Sequence, residues 1–308
     1  MILRTSLQLA IFLLLPPLLL GVINRVKAIF AGRRGLPLLQ LYFDLWKLLR
    51  KGTVISRTTS WVFRAGPVVG LAAVLCAGLL LSTAGQPAVV AFQGDFVLFA
   101  GLLALGRFFT ALAALDTGSA FEGMGAAREV TFASLAEPAL FVCLVVIARA
   151  GGGGGLDPFS LSSMLGPALP GAWDQAGSAI VLVVIALFGV ALAENARIPV
   201  DDPNTHLELT MIHEVMVLDH SGPDLAFIEY GAALKLFLFG ALLSRLAFAF
   251  AVPSFLAQET IFLGGVLLFA VLVGLVESLM ARLRMHRVPQ LLVGASVLSL
   301  FALVLELR

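Results

Sequence analysis

The sequence predicts an all-α polytopic membrane protein with about eight transmembrane helices. Hydrophobic residues make up 60% of the 308-residue chain, and charged residues make up only 13%. Apolar runs of about 20 residues, the length that crosses a bilayer as a helix, recur along the chain. Inside hydrocarbon every backbone amide needs a partner within the protein, so helices or a closed barrel are required. Strict alternation of apolar and polar residues is absent, which excludes the barrel.

Eight spans can be drawn, and together they predict a single integral membrane domain over residues 1–308. Pro16 and Pro17 interrupt the first apolar run, which we interpret as a retained helix. Within the connection 24–65, residues 36–51 have helical amphipathic spacing and should form a helix on the membrane surface. The glycine run that begins at Gly151 opens a connection that should be flexible as far as residue 177. The predicted spans are residues 5–23, 66–84, 96–115, 131–150, 178–194, 226–250, 260–281 and 288–306.

Basic residues are concentrated on one side of this predicted topology. The even-numbered connections hold almost none of them, and Arg149, at the edge of a span, is the exception. Because connections rich in Lys and Arg remain in the cytoplasm, the odd connections should be cytoplasmic and both termini should lie outside. The net charge of +1 gives no indication of nucleic-acid binding. The first connection alone holds nine bases: Arg25, Lys27, Arg33, Arg34, Lys47, Arg50, Lys51, Arg57 and Arg64.

The segment from Glu194 to Glu229 concentrates the ionisable residues of the chain. It holds eight of the 19 acids and three of the four histidines, and Arg197 is its one base. Residues 205–218 are compatible with a helix. Because ionisable groups near a bilayer are costly, we interpret this long acidic cytoplasmic connection as a functional site that handles protons. The candidate proton-path residues from it are Glu194, Asp201, Asp202, Glu208, His213, Glu214 and Glu229.

Two other interpretations of this segment are open. A solvated, charged face is the first, although interleaved apolar residues such as Met211 and Val215 should bury the segment and raise carboxyl pKa values. A metal site is the second. His213 and Glu214 begin like the HExxH motif, but Val217 stands where the second histidine is needed. We therefore expect no metal in this chain. Cys76 and Cys143 have no cysteine neighbours at ligand spacing, so we also expect no iron–sulfur cluster in it.

Further ionisable residues lie within the predicted spans. Glu137 directly precedes Pro138 and has no base beside it in sequence. Arg107 lies near the middle of a span, where an unpaired arginine is costly, so we expect it to pair with an acid from another helix. Static ion pairs are one explanation of such residues, but their number favours a hydrophilic path. We add Glu137 and Lys235 to the proton-path candidates, and name as structural or coupling ion-pair residues Arg107, Arg128, Glu129 and Arg197.

Several motifs resemble the subunit-1 family of respiratory complex I. Glu194-x-x-Arg197-x-Pro199-x-Asp201, followed by two further glutamates, carries the resemblance. The first connection supports it, because GRRGLPLLQLYFDLWKLLRKG (32–52) is similar to that family's pattern. Residues 116–138 and 206–226 are similar to a narrower branch, found in membrane-bound nickel–iron ([NiFe]) hydrogenases. That branch includes formate hydrogenlyase subunit 4 and hydrogenase-4 component C.

The resemblance implies a non-redox anchor and proton-coupling subunit with no catalytic residue of its own. The [NiFe] centre and the iron–sulfur clusters would belong to partners. Those partners would be the hydrogenase large subunit and the iron–sulfur subunit on the cytoplasmic side, with antiporter-like subunits in the bilayer. The location implied is the cytoplasmic (plasma) membrane of a bacterium or archaeon.

Two alternative functions remain open on the sequence. Quinone-reducing relatives usually read E-x-E-S-E-L after the aspartate, whereas this chain reads DPNTHLEL at 202–209. This departure favours a complex that reduces protons. The first alternative is nevertheless the quinone-reacting subunit 1 of an NADH dehydrogenase. The second is a stand-alone secondary transporter, for which paired broken helices would be expected.

Overall fold

The structure, a computed structural model, describes residues 2–84, 86–151, 159–201, 211–250, 252 and 254–308. In these residues all regular structure is helical, as the sequence predicts. Seven helices are long and apolar enough to cross a membrane, and the bent pair α1–α2 provides an eighth crossing. The α-helices are α1 Ile2–Leu14, α2 Pro16–Phe30, α3 Gln40–Leu49, α4 Trp61–Leu80, α5 Asp95–Asp116, α6 Ala120–Gly151, α7 Leu161–Met164, α8 Leu169–Glu194, α9 Gly222–Ala247, α10 Phe255–Leu279 and α11 Val288–Glu306.

The crossing helices alternate in direction, so the bundle has two distinct ends. We call the end that holds both chain termini the terminal face. We call the other end, where the arginine- and lysine-rich connections lie, the basic face. α9 is the most enclosed crossing helix, and it packs against α2, α3, α4, α8 and α10. Side chains from α9 therefore reach the centre of the bundle.

The first crossing is broken at Pro16 and Pro17, and α1 meets α2 at an angle of 47°. A proline cannot donate a backbone hydrogen bond, so carbonyls one turn earlier lose their helical partners. Tyr230 on α9 donates its hydroxyl hydrogen bond to the carbonyl of Leu13 at 2.8 Å. Tyr42 on α3 donates to the carbonyl of Leu14. The only two tyrosines of the chain thus satisfy two of the carbonyls at this break.

The amphipathic segment of the first connection forms α3 over Gln40–Leu49, which is shorter than residues 36–51. None of its residues is buried, although it packs against α2 and α9. Its apolar side chains Phe43, Trp46 and Leu49 remain exposed. This arrangement fits the expected surface helix, with an apolar side available to the bilayer.

Small residues bring α4 and α5 into close contact. A Cβ atom added at Gly106 would lie 3.6 Å from the carbonyl oxygen of Gly70. Such close approach of backbones is typical of membrane helix pairs. Asp116, at the end of α5, accepts hydrogen bonds from the backbone N–H groups of Ser60 (2.6 Å) and Phe63 (3.3 Å) at the start of α4.

Several predicted boundaries were wrong. α6 begins at Ala120, eleven residues before the predicted span, and α8 begins at Leu169 with a kink at Ala176. The helix expected over 205–218 is not formed in its described part, where a single 3₁₀ turn covers Glu214–Val217. Asp201 accepts the backbone N–H groups of Ile212 (3.2 Å) and His213 (3.0 Å), which holds this stretch in an extended turn.

Candidate proton-transfer site

Arg107 lies at the centre of a buried group of charges from four crossing helices. Its Nη1 lies 2.5 Å from Oε1 of Glu194 on α8, and its Nη2 lies 2.6 Å from Oε1 of Glu137 on α6. Lys235 on α9 places its Nζ 3.6 Å from Oε2 of Glu194. The expected pairing of Arg107 with acids from other helices is confirmed. Glu129 lines two internal cavities together with Arg107 and Glu194. We call Glu129 and the four residues of these ion pairs the Arg107 cluster.

Exposure differs strongly among the members of the Arg107 cluster. The side chain of Glu194 is 2% exposed and that of Arg107 is 9% exposed, whereas that of Glu137 is 42% exposed. Removing one partner of a buried ion pair costs about 3–5 kcal/mol, because the other charge is left uncompensated. The titrations of these groups are therefore coupled, so that a proton bound by one acid of the cluster changes the proton affinity of the others.

Three cavities meet at residues of this site. The central cavity, of about 100 Å³, lies between α4, α5 and α9 and is lined by Arg107, Glu129, Glu194 and Lys235. The basic-face cavity, of about 280 Å³, lies between α2, α3, α9 and the connection after α8. The lateral cavity, of about 140 Å³, lies between α5 and α6. All three exceed the roughly 15 Å³ of such space that one water molecule needs.

Shared lining residues join these cavities into a series. His213 and Asn195 line both the basic-face cavity and the central cavity. Arg107 and Glu194 line both the central cavity and the lateral cavity, where Glu137 also contributes. Polar and charged side chains therefore extend from the basic face to the side of the bundle at α5 and α6.

His213 stands between two of the cavities as a neutral group. Burial, with a smaller contribution from the positive charge of Lys235, lowers the pKa of His213 to about 4. A neutral imidazole carries one donor and one acceptor nitrogen, so it can pass a proton between water molecules on its two sides.

A second group of ion pairs holds the connection after α8 against the basic face. Glu277 on α10 pairs with Nζ of Lys27 at 2.8 Å and with Nη1 of Arg197 at 3.4 Å. Asp201 pairs with Nη2 of Arg282 at 2.8 Å. Sequence reasoning missed Lys27 as a partner of Glu277 and Arg282 as the partner of Asp201. Their partners are far away in sequence, so no local pattern could have indicated them.

The turn at the end of α8 directs Glu194 and Arg197 into different groups of ion pairs. Ala196 has a φ of +49°, and the N–H groups of Ala196 and Arg197 donate to the carbonyls of Ala193 and Leu192. This is the Schellman motif, here with alanine where glycine is usual. It directs Glu194 into the Arg107 cluster and Arg197, three residues later, toward Glu277. One rigid turn thus connects both groups of charges.

The other predicted site residues lie around these groups. Glu229 and Glu214 line the basic-face cavity with Asp201. Arg128 donates to the carbonyl of Met211 at 2.9 Å and so ties α6 to the connection. Asp202 and Glu208 lie outside the described residues. Among the residues that the structure does describe, no group of three His, Cys, Asp or Glu side chains could hold a metal ion.

The sequence matches the family described as NADH dehydrogenase over residues 4–307. The chain belongs to the NADH dehydrogenase family. It is 31% identical over 281 residues to hydrogenase-4 component C of Escherichia coli (strain K12), which covers 89% of this chain and 86% of that one. It is 29% identical over 306 residues to formate hydrogenlyase subunit 4 of the same organism, which covers 94% of each chain. The resemblance in the sequence motifs is therefore confirmed.

A solved structure shows the same fold. A chain from the membrane-bound sulfane sulfur reductase, an archaeal respiratory membrane complex, superposes with a TM-score of 0.84 over 99% of both chains. Its sequence identity of 19% supports a likeness of fold alone. The described protein is thus a membrane member of the NADH dehydrogenase family, similar to subunits of hydrogenase-type complexes.

Proposed function

We propose that this protein is the non-redox anchor and proton-coupling subunit of a membrane-bound [NiFe] hydrogenase or formate hydrogenlyase-type complex. The observation that carries the proposal is the series of three cavities, joined through His213 and the Arg107 cluster. The relatives named as a hydrogenase component and a formate hydrogenlyase subunit supply the kind of complex. The concentration of basic residues supports an orientation with the basic face in the cytoplasm.

The proton path begins in the basic-face cavity. Asp201, Glu214 and Glu229 there are the proposed acceptors of protons from the cytoplasmic side. His213 and Asn195 connect this cavity to the central one, so a proton can move along hydrogen-bonded water to Lys235 and Glu194. A change of charge at the basic face, caused by turnover of a bound redox partner, would then alter the occupancy of these acids.

The path leaves the subunit sideways at Glu137. Its side chain is 42% exposed, although it is in the apolar middle of α6. An ionised group that faces lipid at this depth is costly, so a neighbouring membrane protein with polar groups should cover it. We propose that an antiporter-like subunit packs against α5 and α6 at the lateral cavity and receives the proton there.

Purification of the complex through a tag on this chain tests the assignment of partners. We expect a [NiFe] large subunit and iron–sulfur subunits to copurify, together with antiporter-like membrane proteins. Metal analysis should find nickel and iron in the complex. Copurification of a complete quinone-reducing NADH dehydrogenase would favour the first alternative. Recovery of this chain without any other subunit would favour a stand-alone transporter.

The Glu137→Gln substitution tests the coupling role. Glutamine preserves the shape of the side chain and removes its titration, so the complex should assemble while turnover-linked proton movement falls at least several-fold. Glu306→Gln, at the far end of α11, is the matched control and should behave as wild type. Unchanged turnover and unchanged proton movement in an assembled Glu137→Gln complex would rule out the path through Glu137.

A further inference from the structure

A second buried acid lies near the terminal face, away from the Arg107 cluster. Glu259 is in the second turn of α10, and only 5% of it is exposed. Neither of its carboxyl oxygens has a hydrogen-bond partner among the described residues. Glu259 belongs to the buried side of α10, which continues through Phe262, Val266, Val273 and Glu277 at helical spacing.

Glu277 provides a comparison on the same side of the same helix. At the basic face its carboxylate is balanced by Lys27 at 2.8 Å and by Arg197 at 3.4 Å. Glu259 forms no ion pair with any described residue. The two acids are equally buried, so the difference lies in the charge that surrounds them.

Several polar groups at this end of the bundle interact with atoms other than those of Glu259. The guanidinium of Arg4 lies over the ring of Phe255, 4.7 Å from its centre and one helical turn before Glu259. Four side chains at this end of the bundle donate to backbone carbonyls, although Nε of Arg245 has no partner among the described residues. These bonds run from Gln8 to Thr83, from Ser244 to Phe262, from Arg245 to Leu165 and from Gln258 to Val252.

An ionised carboxylate without a partner is strongly unfavourable in such an environment. We propose that Glu259 is a proton-binding site that holds a neutral carboxylic acid and exchanges its proton with water at the terminal face. A metal ion would need several more oxygen ligands, and no group of three acidic or metal-ligating side chains is found in the described part of the chain.

The site is separated from the Arg107 cluster by aromatic rings. Phe237, two residues after Lys235, lies 6.0 Å from Phe12 and 6.4 Å from Phe262 between ring centres. Glu259 is one turn beyond Phe262 on the terminal side. These rings form an apolar layer between the two sites, so Glu259 exchanges with the terminal face past Phe255 and Arg4. The proposal therefore stands independently of the coupling function.

Infrared difference spectroscopy of the purified full chain in lipid tests this proposal. The wild-type spectrum at neutral pH should contain the C=O band of a protonated carboxyl group. Glu259→Gln and the volume-filling Glu259→Met should both remove one component of this band. Glu306→Gln, the matched control, should leave the band unchanged. Replacing H₂O by D₂O should shift the component assigned to Glu259, because its proton exchanges.

Three results would overturn the proposal. The first is a wild-type spectrum without any protonated-carboxyl band, which needs no variant. The second is loss of only carboxylate bands in the two Glu259 variants, since this would show that the group is ionised. The third is a Glu259 component that does not shift in D₂O, which would show that its proton does not exchange with water.

Discussion

Folding changes the ionisation of two histidines in the connection between α8 and α9. Burial lowers the pKa of His213 and of His220 from 6.5 to about 4. The ring of His220 stacks on Phe63, with centres 4.0 Å apart and planes 8° from parallel. The unfolded chain binds protons at these histidines below about pH 6.5, whereas the folded chain does not until about pH 4. Their contribution to stability is therefore complete above pH 6.5 and is lost as the pH falls toward 4.

This sign leads to a prediction for pH-dependent unfolding. The free energy of unfolding of the wild-type chain should fall between about pH 7 and about pH 5, by up to about 1.4 kcal/mol per pH unit for each histidine, and the melting temperature should fall with it. His220→Phe keeps an aromatic ring against Phe63 and cannot bind a proton, so it should reduce this fall. If the melting temperatures of variant and wild type fall equally over the same pH range, His220 is not responsible for the fall.

The two tyrosine hydrogen bonds at the break between α1 and α2 can be tested singly. Tyr230→Phe and Tyr42→Phe each leave a carbonyl without its donor. Each substitution should lower the free energy of unfolding by about 1 kcal/mol. Thermal unfolding in detergent should show lower melting temperatures for both variants. Phe43→Leu, at an exposed position of α3, serves as the control. Equal melting temperatures in all four proteins would contradict the role of the hydroxyl groups.

At the level of elements, the ion pair between Asp201 and Arg282 joins the connection after α8 to the segment after α10. A double-mutant cycle with Asp201→Asn and Arg282→Gln should give a coupling energy of about 1–3 kcal/mol. Arg284→Gln, two residues away and exposed, is the matched control and should show no coupling with Asp201→Asn. Additive effects of the two substitutions would mean that the pair does not hold the connection.

The number of crossing helices was predictable, because length and apolar content alone identify them. The start of α6 was not, since Glu122, Arg128 and Glu129 make that stretch resemble a connection. The structure shows why the helix continues through Glu122 and Arg128. Glu122 accepts the backbone N–H of Asp219 at 3.2 Å, and Arg128 donates to Met211. Such tertiary partners stabilise charges that sequence reasoning assigns to solvent.

The connection before α8 was expected to be flexible, but much of its described part is ordered by Asp95. This residue is fully buried and accepts the hydroxyl of Ser160 at 2.8 Å and the N–H of Leu161 at 2.6 Å. A single aspartate at the start of a distant helix gives no local signal of such a contact. The pairing of Arg107 was easier to predict, because an arginine in the middle of a membrane requires a partner whatever the fold.

For the whole molecule, the topology predicts opposite accessibility of the two faces. Thr53 is exposed at the basic face and Gln93 is exposed at the terminal face. In a chain with Cys76→Ala and Cys143→Ala, an impermeant thiol reagent added to intact cells should label the Gln93→Cys variant and not the Thr53→Cys variant. The reverse pattern of labelling would invert the orientation and place the basic face outside.

The central claim is that the Arg107 cluster changes its protonation during turnover of the assembled complex. The most direct measurement is an infrared difference spectrum between the reduced and oxidised states of the purified complex. We predict carboxyl signals in the wild type that are lost or shifted in an assembled Glu194→Gln complex and retained in Glu306→Gln. Identical difference spectra for wild type and Glu194→Gln, with equal proton movement per turnover, would contradict the account.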